Sequence, residues 1–298
     1  MESLRITGHS GVQLAADALG PPDATPVILL PGGGQTRRAW QRTAHKLARA
    51  GYRVIALDLR GHGESDWSPD GDYSLDAFVG DVVSTVRAMS IPPILVGASL
   101  GGLSAAVAAG EHPTLPLRGL ALVDIVPHVR ADGIEKIRSF MTAGQAGFES
   151  PEQAAASVTA YLPHRPPRTA RSLSANLRQR NDGRWYWHWD PVFSGAGRHQ
   201  RGNDFSARMA AALPAIRVPT LLVSGLRSEL VDEIGIRRFR ELMPAAEWVG
   251  VHNAAHMVAG DANTQFSAAL LNFLARLSEN RPALSASDLL PQHKDGSQ

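Results

Sequence analysis

Ile94-Leu95-Val96-Gly97-Ala98-Ser99-Leu100-Gly101-Gly102 joins an apolar run to a stretch of small residues that continues to Gly110. Pro92 and Pro93 precede the apolar triplet, which predicts a short buried strand. Leu103, Ala105, Ala106, Val107, Ala108 and Ala109 predict a buried helix, because alanine gives up no side-chain entropy there. Between strand and helix lies G-x-S-x-G with Ser99 at its centre. A strand that turns straight into a helix crowds its own backbone, so the flanking residues must be small. Gly97, Ala98, Gly101 and Gly102 meet that demand, and the turn lifts the Ser99 hydroxyl beyond the strand's end. A glycine turn with an incidental serine is the plainer alternative, but the strand-turn-helix context favours a nucleophile.

Composition bounds what surrounds this turn. The chain has 298 residues, 44% hydrophobic and 19% charged, enough for one large core and an inserted subdomain. A formal net charge of +2 produces no field that would recruit nucleic acid. The absence of cysteine excludes disulfides, thiolate catalysis and Cys-ligated metal sites. Met1-Glu2-Ser3-Leu4-Arg5 has neither the basic nor the apolar region of a secretory signal. Residues 94–109 are too few and too rich in glycine and alanine to span a bilayer. A cytoplasmic protein with no membrane partner is expected.

Strand and helix signals alternate on both sides of the Ser99 turn. Leu4 to Thr7 and Val12 to Ala16 flank Gly8-His9-Ser10-Gly11, a hairpin signal. Val27-Ile28-Leu29-Leu30, Val54-Ile55-Ala56-Leu57 and Leu120-Ala121-Leu122-Val123 are continuous apolar runs, typical of strands covered on both faces. Trp40 to Ala50 and Leu75 to Met89 carry helical spacing, the second opened by Ser74 as N-cap. From Pro127 to Pro214 the alternation gives way to a helical, polar stretch rich in proline and arginine. It resumes with strands at Val218 to Val223 and Glu247 to Val251 and helices at Ile234 to Leu242 and Phe266 to Leu277. The predicted fold is α/β, a mostly parallel sheet covered on both sides with an inserted helical lid. The core comprises residues 1–126 plus 214–278, the lid 127–213, and a disordered tail 279–298.

A serine hydroxyl needs a base, and that base needs an orienting acid. His256 lies in the loop after the last predicted strand, where it would project at the sheet's active edge. His252 shares the loop but follows the strand immediately. Their H-x-x-x-H spacing could suit a metal, yet the Glu of H-E-x-x-H and a helical pattern are both missing, so no metal is expected. Glu229, in the turn after Thr220 to Val223, is the expected acid; Asp124 could reach the same histidine, and Asp232 is read as opening the following helix. Asp58 and His62 precede the nucleophile in a loop where they can bond to each other and to backbone. Pro31-Gly32-Gly33-Gly34 leaves backbone N–H groups unobstructed at a strand's end, as an anion-stabilising loop requires. Neither G-x-G-x-x-G nor G-x-x-x-x-G-K-[ST] occurs, so no nucleotide cofactor is expected.

These motifs, in this order, resemble the α/β-hydrolase superfamily in its serine-nucleophile branch, from Leu4 to Leu277. The resemblance rests on Leu30-Pro31-Gly32-Gly33-Gly34, Asp58 to Ser65, Gly97 to Gly101, Pro219 to Gly225 and the His256 loop. It implies Ser99 as nucleophile, His256 as general base and acid, and the backbone N–H groups of Gly33 and Leu100 as oxyanion hole. It also implies that no cofactor is needed. Two departures stand out. Pro31 occupies the position where the family often has histidine, so support of the glycine loop must differ. Ser228 stands where the acid is usually found, with Glu229 one residue on.

The implied reaction is acyl transfer to water on a small-molecule substrate, as in an esterase or lactonase. A carbon–carbon bond hydrolase or a perhydrolase-type non-haem peroxidase would use the same triad, and a catalytically silent receptor of this fold is a further alternative. Trp185 and Trp187, in the aromatic run Trp185 to Trp189, are expected to line an apolar substrate pocket or else to anchor the lid. Arg165, Arg168, Arg171, Arg178, Arg180 and Arg184 are read mainly as a solvated face.

Overall fold

A computed structural model describes residues 1–163, 165–195, 205–261 and 263–279. The tail expected over 279–298 lies outside the described residues beyond its first position, as does His164. In chain order the first half comprises β1 (Glu2–Thr7), β2 (Gln13–Leu19), β3 (Pro26–Leu30), α1 (Gln41–Arg49), β4 (Arg53–Leu57), α2 (Leu75–Arg87), β5 (Ile94–Ala98), α3 (Leu100–Glu111) and β6 (Gly119–Val123). The segment between β6 and β9 carries α4 (Ala131–Ala143), α5 (Pro151–Tyr161), α6 (Ala170–Leu173), β7 (Leu177–Gln179), β8 (Trp185–Trp187), α7 (Pro191–Ser194) and α8 (Phe205–Ala212). Then follow β9 (Thr220–Gly225), α9 (Glu233–Leu242), β10 (Glu247–Val251), α10 (Val258–Asp261) and α11 (Asn263–Glu279).

Eight strands form one sheet in the order β1-β2-β4-β3-β5-β6-β9-β10. β1 and β2 form the expected hairpin, with Ile6 opposite Leu14, and β2 is antiparallel to β4. Every pairing from β4 onward is parallel. Alternate strand residues feed two separate cores. Val27, Leu29, Val96, Ala121 and Val223 face α1 and α11, where Trp40, Leu47, Phe266 and Leu270 close the layer. Ile28, Leu30, Leu95, Leu122 and Leu222 face the opposite layer with Phe78, Val82, Ala106 and Phe239 from α2, α3 and α9. Burial on both faces is the reason these strands read as unbroken apolar runs.

α3 sits at the centre of the second layer, and its residues from Leu100 to Gly110 are all buried. Its small side chains let α8 lie against it: a Cβ on Gly110 would come within 2.3 Å of the Ala212 carbonyl oxygen. Arg208 of α8 reaches Glu111 at 2.8 Å and Asp76 at 2.6 Å. α8 is therefore packed into the layer that covers the sheet, although the sequence pattern assigned it to the lid. A second difference lies in the same segment. β7 and β8 form an antiparallel pair, with Leu177 opposite Trp187 and Gln179 opposite Trp185, in a stretch expected to be helical. Alternating Trp185-Tyr186-Trp187 after Asp182-Gly183 is a hairpin pattern, and Gly183 adopts the left-handed φ of 79° that the turn requires. Among the described residues no helix is long and apolar enough to cross a membrane.

Candidate active site

Ser99 follows β5 directly and precedes the first residue of α3, with φ 47° and ψ −117°. That region is costly for a residue with a Cβ, by roughly 1–3 kcal/mol, and is held only where the surroundings enforce it. They do so here through packing of bare backbone. A Cβ on Gly101 would stand 2.5 Å from the Pro31 carbonyl oxygen and 2.6 Å from that of Leu30. The Ser99 N–H donates to Val123 O at 3.2 Å, tying the turn to the end of β6. Leu103 N–H donates to Ser99 O, so the amides of Leu100 to Gly102 are the orphan donors of the helix start.

The residue after Val123 is Asp124, fully buried and also left-handed at φ 50°. Its N–H donates to Val223 O of β9 at 2.8 Å, and its carboxylate receives three donors. Gly225 N–H reaches Oδ1 at 2.9 Å, Ser228 Oγ–H reaches Oδ2 at 2.5 Å, and His256 Nδ1 lies 2.8 Å from Oδ2. The imidazole's carboxylate partner is thus Asp124, not the expected Glu229. Glu229 points elsewhere: its Oε2 accepts the His256 backbone N–H at 3.2 Å, and its Oε1 lies 3.7 Å from Lys136 Nζ. Burial pushes the Glu229 carboxyl up, but its own and the His256 backbone N–H, with the Lys136 and His256 charges, bring it below the usual range. Asp232 caps α9, accepting Gly235 N–H at 2.8 Å, as its sequence position predicts.

The glycine loop closes on the same turn. A Cβ on Gly32 would lie 3.3 Å from Ser99 Cβ, and one on Gly33 would touch Leu100 and Phe193. Gln35 N–H donates to Gly32 O at 3.1 Å, and Gly34 N–H donates to His62 Nε2 at 2.9 Å. The Gly33 N–H has no protein partner among the described residues. Asp58 and His62 do not bond to each other. Asp58 accepts the Arg37 N–H at 2.6 Å and pairs with the Arg37 guanidinium, which also meets Glu64 at 2.8 Å. Both residues are buried supports of the loop.

Apolar side chains cover this region. Met141 Cε and Trp189 Cζ3 would stand 3.4 and 3.5 Å from a Cβ on Gly34. Trp187 is one layer further out, stacked on Trp189 at 5.1 Å and edge-on to Phe148. Trp185 is half-buried, and its backbone bridges Phe148. The aromatic side chains against the glycine loop are therefore Trp189 and Phe193 rather than Trp185 and Trp187. The arginines of the segment act mostly on their own neighbourhood: Arg180 covers the Tyr186 ring at 3.9 Å, and Arg184 donates to the carbonyls of Ala146 and Gly147. Arg165 donates to Met257 O at 3.3 Å. His252 has no part in the Asp124 pairing, and among the described residues no group of three His, Asp or Glu could hold a metal.

The left-handed Ser99 after β5, the buried Asp124 after β6 with its His256 partner, and the glycine loop after β3 thus lie at the carboxyl ends of three neighbouring parallel strands. The chain belongs to the α/β-hydrolase family, whose fold model matches residues 25–262. It is 27% identical to 2-(acetamidomethylene)succinate hydrolase of Mesorhizobium japonicum over 70% of this chain and 73% of that protein. It is 29% identical to Esterase Rv0045c of Mycobacterium tuberculosis over 79% of this chain and 78% of that protein. The crystal structure of E-2-(acetamidomethylene)succinate hydrolase superposes with a TM-score of 0.80 at 22% identity, covering 92% of this chain and 99% of that one.

Proposed function

We propose that the protein is a serine hydrolase of small, apolar carboxylic esters that works through an acyl-enzyme. The observation that carries this reading is the His256–Asp124 pair held one residue beyond Val123, whose carbonyl receives the Ser99 amide. Ser99 Oγ attacks the ester carbonyl while His256 Nε2 takes its proton and returns it to the leaving alcohol. Water then repeats the sequence on the acyl-enzyme. Asp124 holds the Nδ1–H tautomer of His256 in place and stabilises the imidazolium that forms. The Gly33 and Leu100 amides receive the oxyanion; a well-placed donor of this kind is worth about 3 kcal/mol.

Met141, Trp189 and Phe193 around the loop favour an apolar acyl or aryl group, and the segment 127–194 serves as the lid over it. A p-nitrophenyl acetate and butyrate assay with the wild type and Ser99→Ala tests the reading, together with labelling of Ser99 by a fluorophosphonate. Turnover that survives in Ser99→Ala, or a wild type that neither turns over nor labels, would refute it.

A further inference from the structure

Three consecutive glycines form the most freely rotating backbone a chain can make, so a loop that must aim one N–H needs restraint from outside. Gly32-Gly33-Gly34-Gln35 receives it at each peptide in turn. The Gly32 carbonyl is held by Gln35 N–H at 3.1 Å, which points the Gly33 N–H of the same trans peptide the opposite way. The Gly34 N–H is held by His62 Nε2. The Gly34 carbonyl lies 3.3 Å from Nε2 of His188, a residue that arrives from the far side of the chain between β8 and α7.

Hydrogen bonding sets the tautomer of both rings. His62 Nδ1 lies 2.9 Å from Arg60 O and so carries the proton, leaving Nε2 to accept. His188 Nδ1 accepts the Gly63 N–H at 2.7 Å, so its proton sits on Nε2 and is donated to Gly34. Two neutral histidines of opposite tautomer grip the two sides of Gly34. Burial, above all, pushes His188 down to about 3, so the ring stays neutral across the physiological range. The segment that carries it is itself tied down. Asp190 N–H donates to Gly61 O at 2.9 Å, Tyr73 Oη–H donates to Asp190 Oδ2 at 2.6 Å, and Phe193 packs edge-on to His62 at 4.5 Å.

We propose that His188 is a positioning residue for the reaction: with His62 it clamps Gly34 on both sides and thereby fixes the direction of the Gly33 N–H. The clamp supplies from the lid the support that Pro31, lacking a side-chain donor, cannot supply just after β3. This rests on the serine-hydrolase reading above, in which Gly33 is an oxyanion donor.

The test begins with fluorophosphonate labelling of Ser99 in the wild type, which stands or falls independently of His188. His188→Ala, His188→Phe and His188→Gln are then compared on p-nitrophenyl acetate and with an aryl trifluoromethyl ketone, whose adduct carries the oxyanion. Misaiming one donor should lower kcat about 10- to 100-fold in the Ala and Phe variants, with KM within about threefold. Ketone affinity should fall in parallel with kcat/KM. His188→Gln, which can both accept from Gly63 and donate to Gly34, should recover part of the loss. If the alanine variant does not fold, the phenylalanine and glutamine variants decide. Labelled wild type with unchanged kcat in His188→Phe, or a His188→Gln variant that recovers nothing over His188→Phe, would overturn the clamp alone. An unlabelled Ser99 would remove the hydrolase reading and the clamp's role with it.

Discussion

His256 Nδ1 lies 2.8 Å from Oδ2 of Asp124, two residues 132 positions apart in the chain, and the carboxylate is wholly buried. Ser228 and Gly225 donate to the same carboxylate, so three hydrogen bonds converge on a group that has no access to water. Glu229, one residue from Ser228, holds the backbone of His256 instead of its ring.

This division of labour separates two variants. Asp124→Asn should lower kcat by roughly 10³- to 10⁴-fold, because the amide stabilises the wrong tautomer of His256 and cannot compensate the imidazolium. Glu229→Gln keeps an oxygen for the His256 N–H and should cost less than about tenfold. Steady-state kinetics on a p-nitrophenyl ester measures both, and the opposite ranking would hand the acid's role to Glu229.

The φ of 47° at Ser99 stores strain that a glycine would not feel. Ser99→Gly should therefore abolish turnover and yet raise stability by about 1 kcal/mol, or about 2–4 °C in Tm for a chain of this size. Chemical denaturation of the two proteins side by side checks it; a less stable glycine variant would mean that the turn is relaxed.

Gly101 meets backbone on the far side of its missing Cβ, the carbonyls of Leu30 and Pro31. Neither can move without shifting the end of β3, so Gly101→Ala should cost about 2–4 kcal/mol. Its effect on turnover should exceed its effect on stability, since the same shift displaces Gly32 and Gly33. A variant with wild-type Tm and kcat would contradict the close approach.

Acid should destabilise the protein through His188. Its value is about 3 in the folded chain against 6.5 when unperturbed, so between those limits the unfolded chain binds the extra proton. The stability contributed by the neutral ring is fully present above pH 6.5 and is lost as the pH falls toward 3, at about 1.4 kcal/mol per unit. Urea titrations from pH 7 to 4 should show a shallower decline in His188→Gln than in the wild type; parallel curves would exclude His188 as the source.

Local sterics made much of the protein legible in its sequence. The elbow needs small residues at 97, 98, 101 and 102, a demand that neighbours in the chain place on one another, so Ser99 could be read without a fold. The buried strands announced themselves as unbroken apolar runs, because parallel strands are covered on both sides. Ser74 and Asp232 cap their helices as their positions foretold. The partners of His256 and of the glycine loop were settled only in three dimensions. Asp124 and Glu229 both follow parallel strands that end on the same side of the sheet, and sequence spacing does not say which side chain turns toward the imidazole. The parallel register of β6 with β9 decides it, setting Val123 opposite Val223 and so bringing Asp124 beneath Gly225 and Ser228. His188 lay hidden among tryptophans for the same reason: a hydrogen bond across 154 residues leaves no periodicity behind.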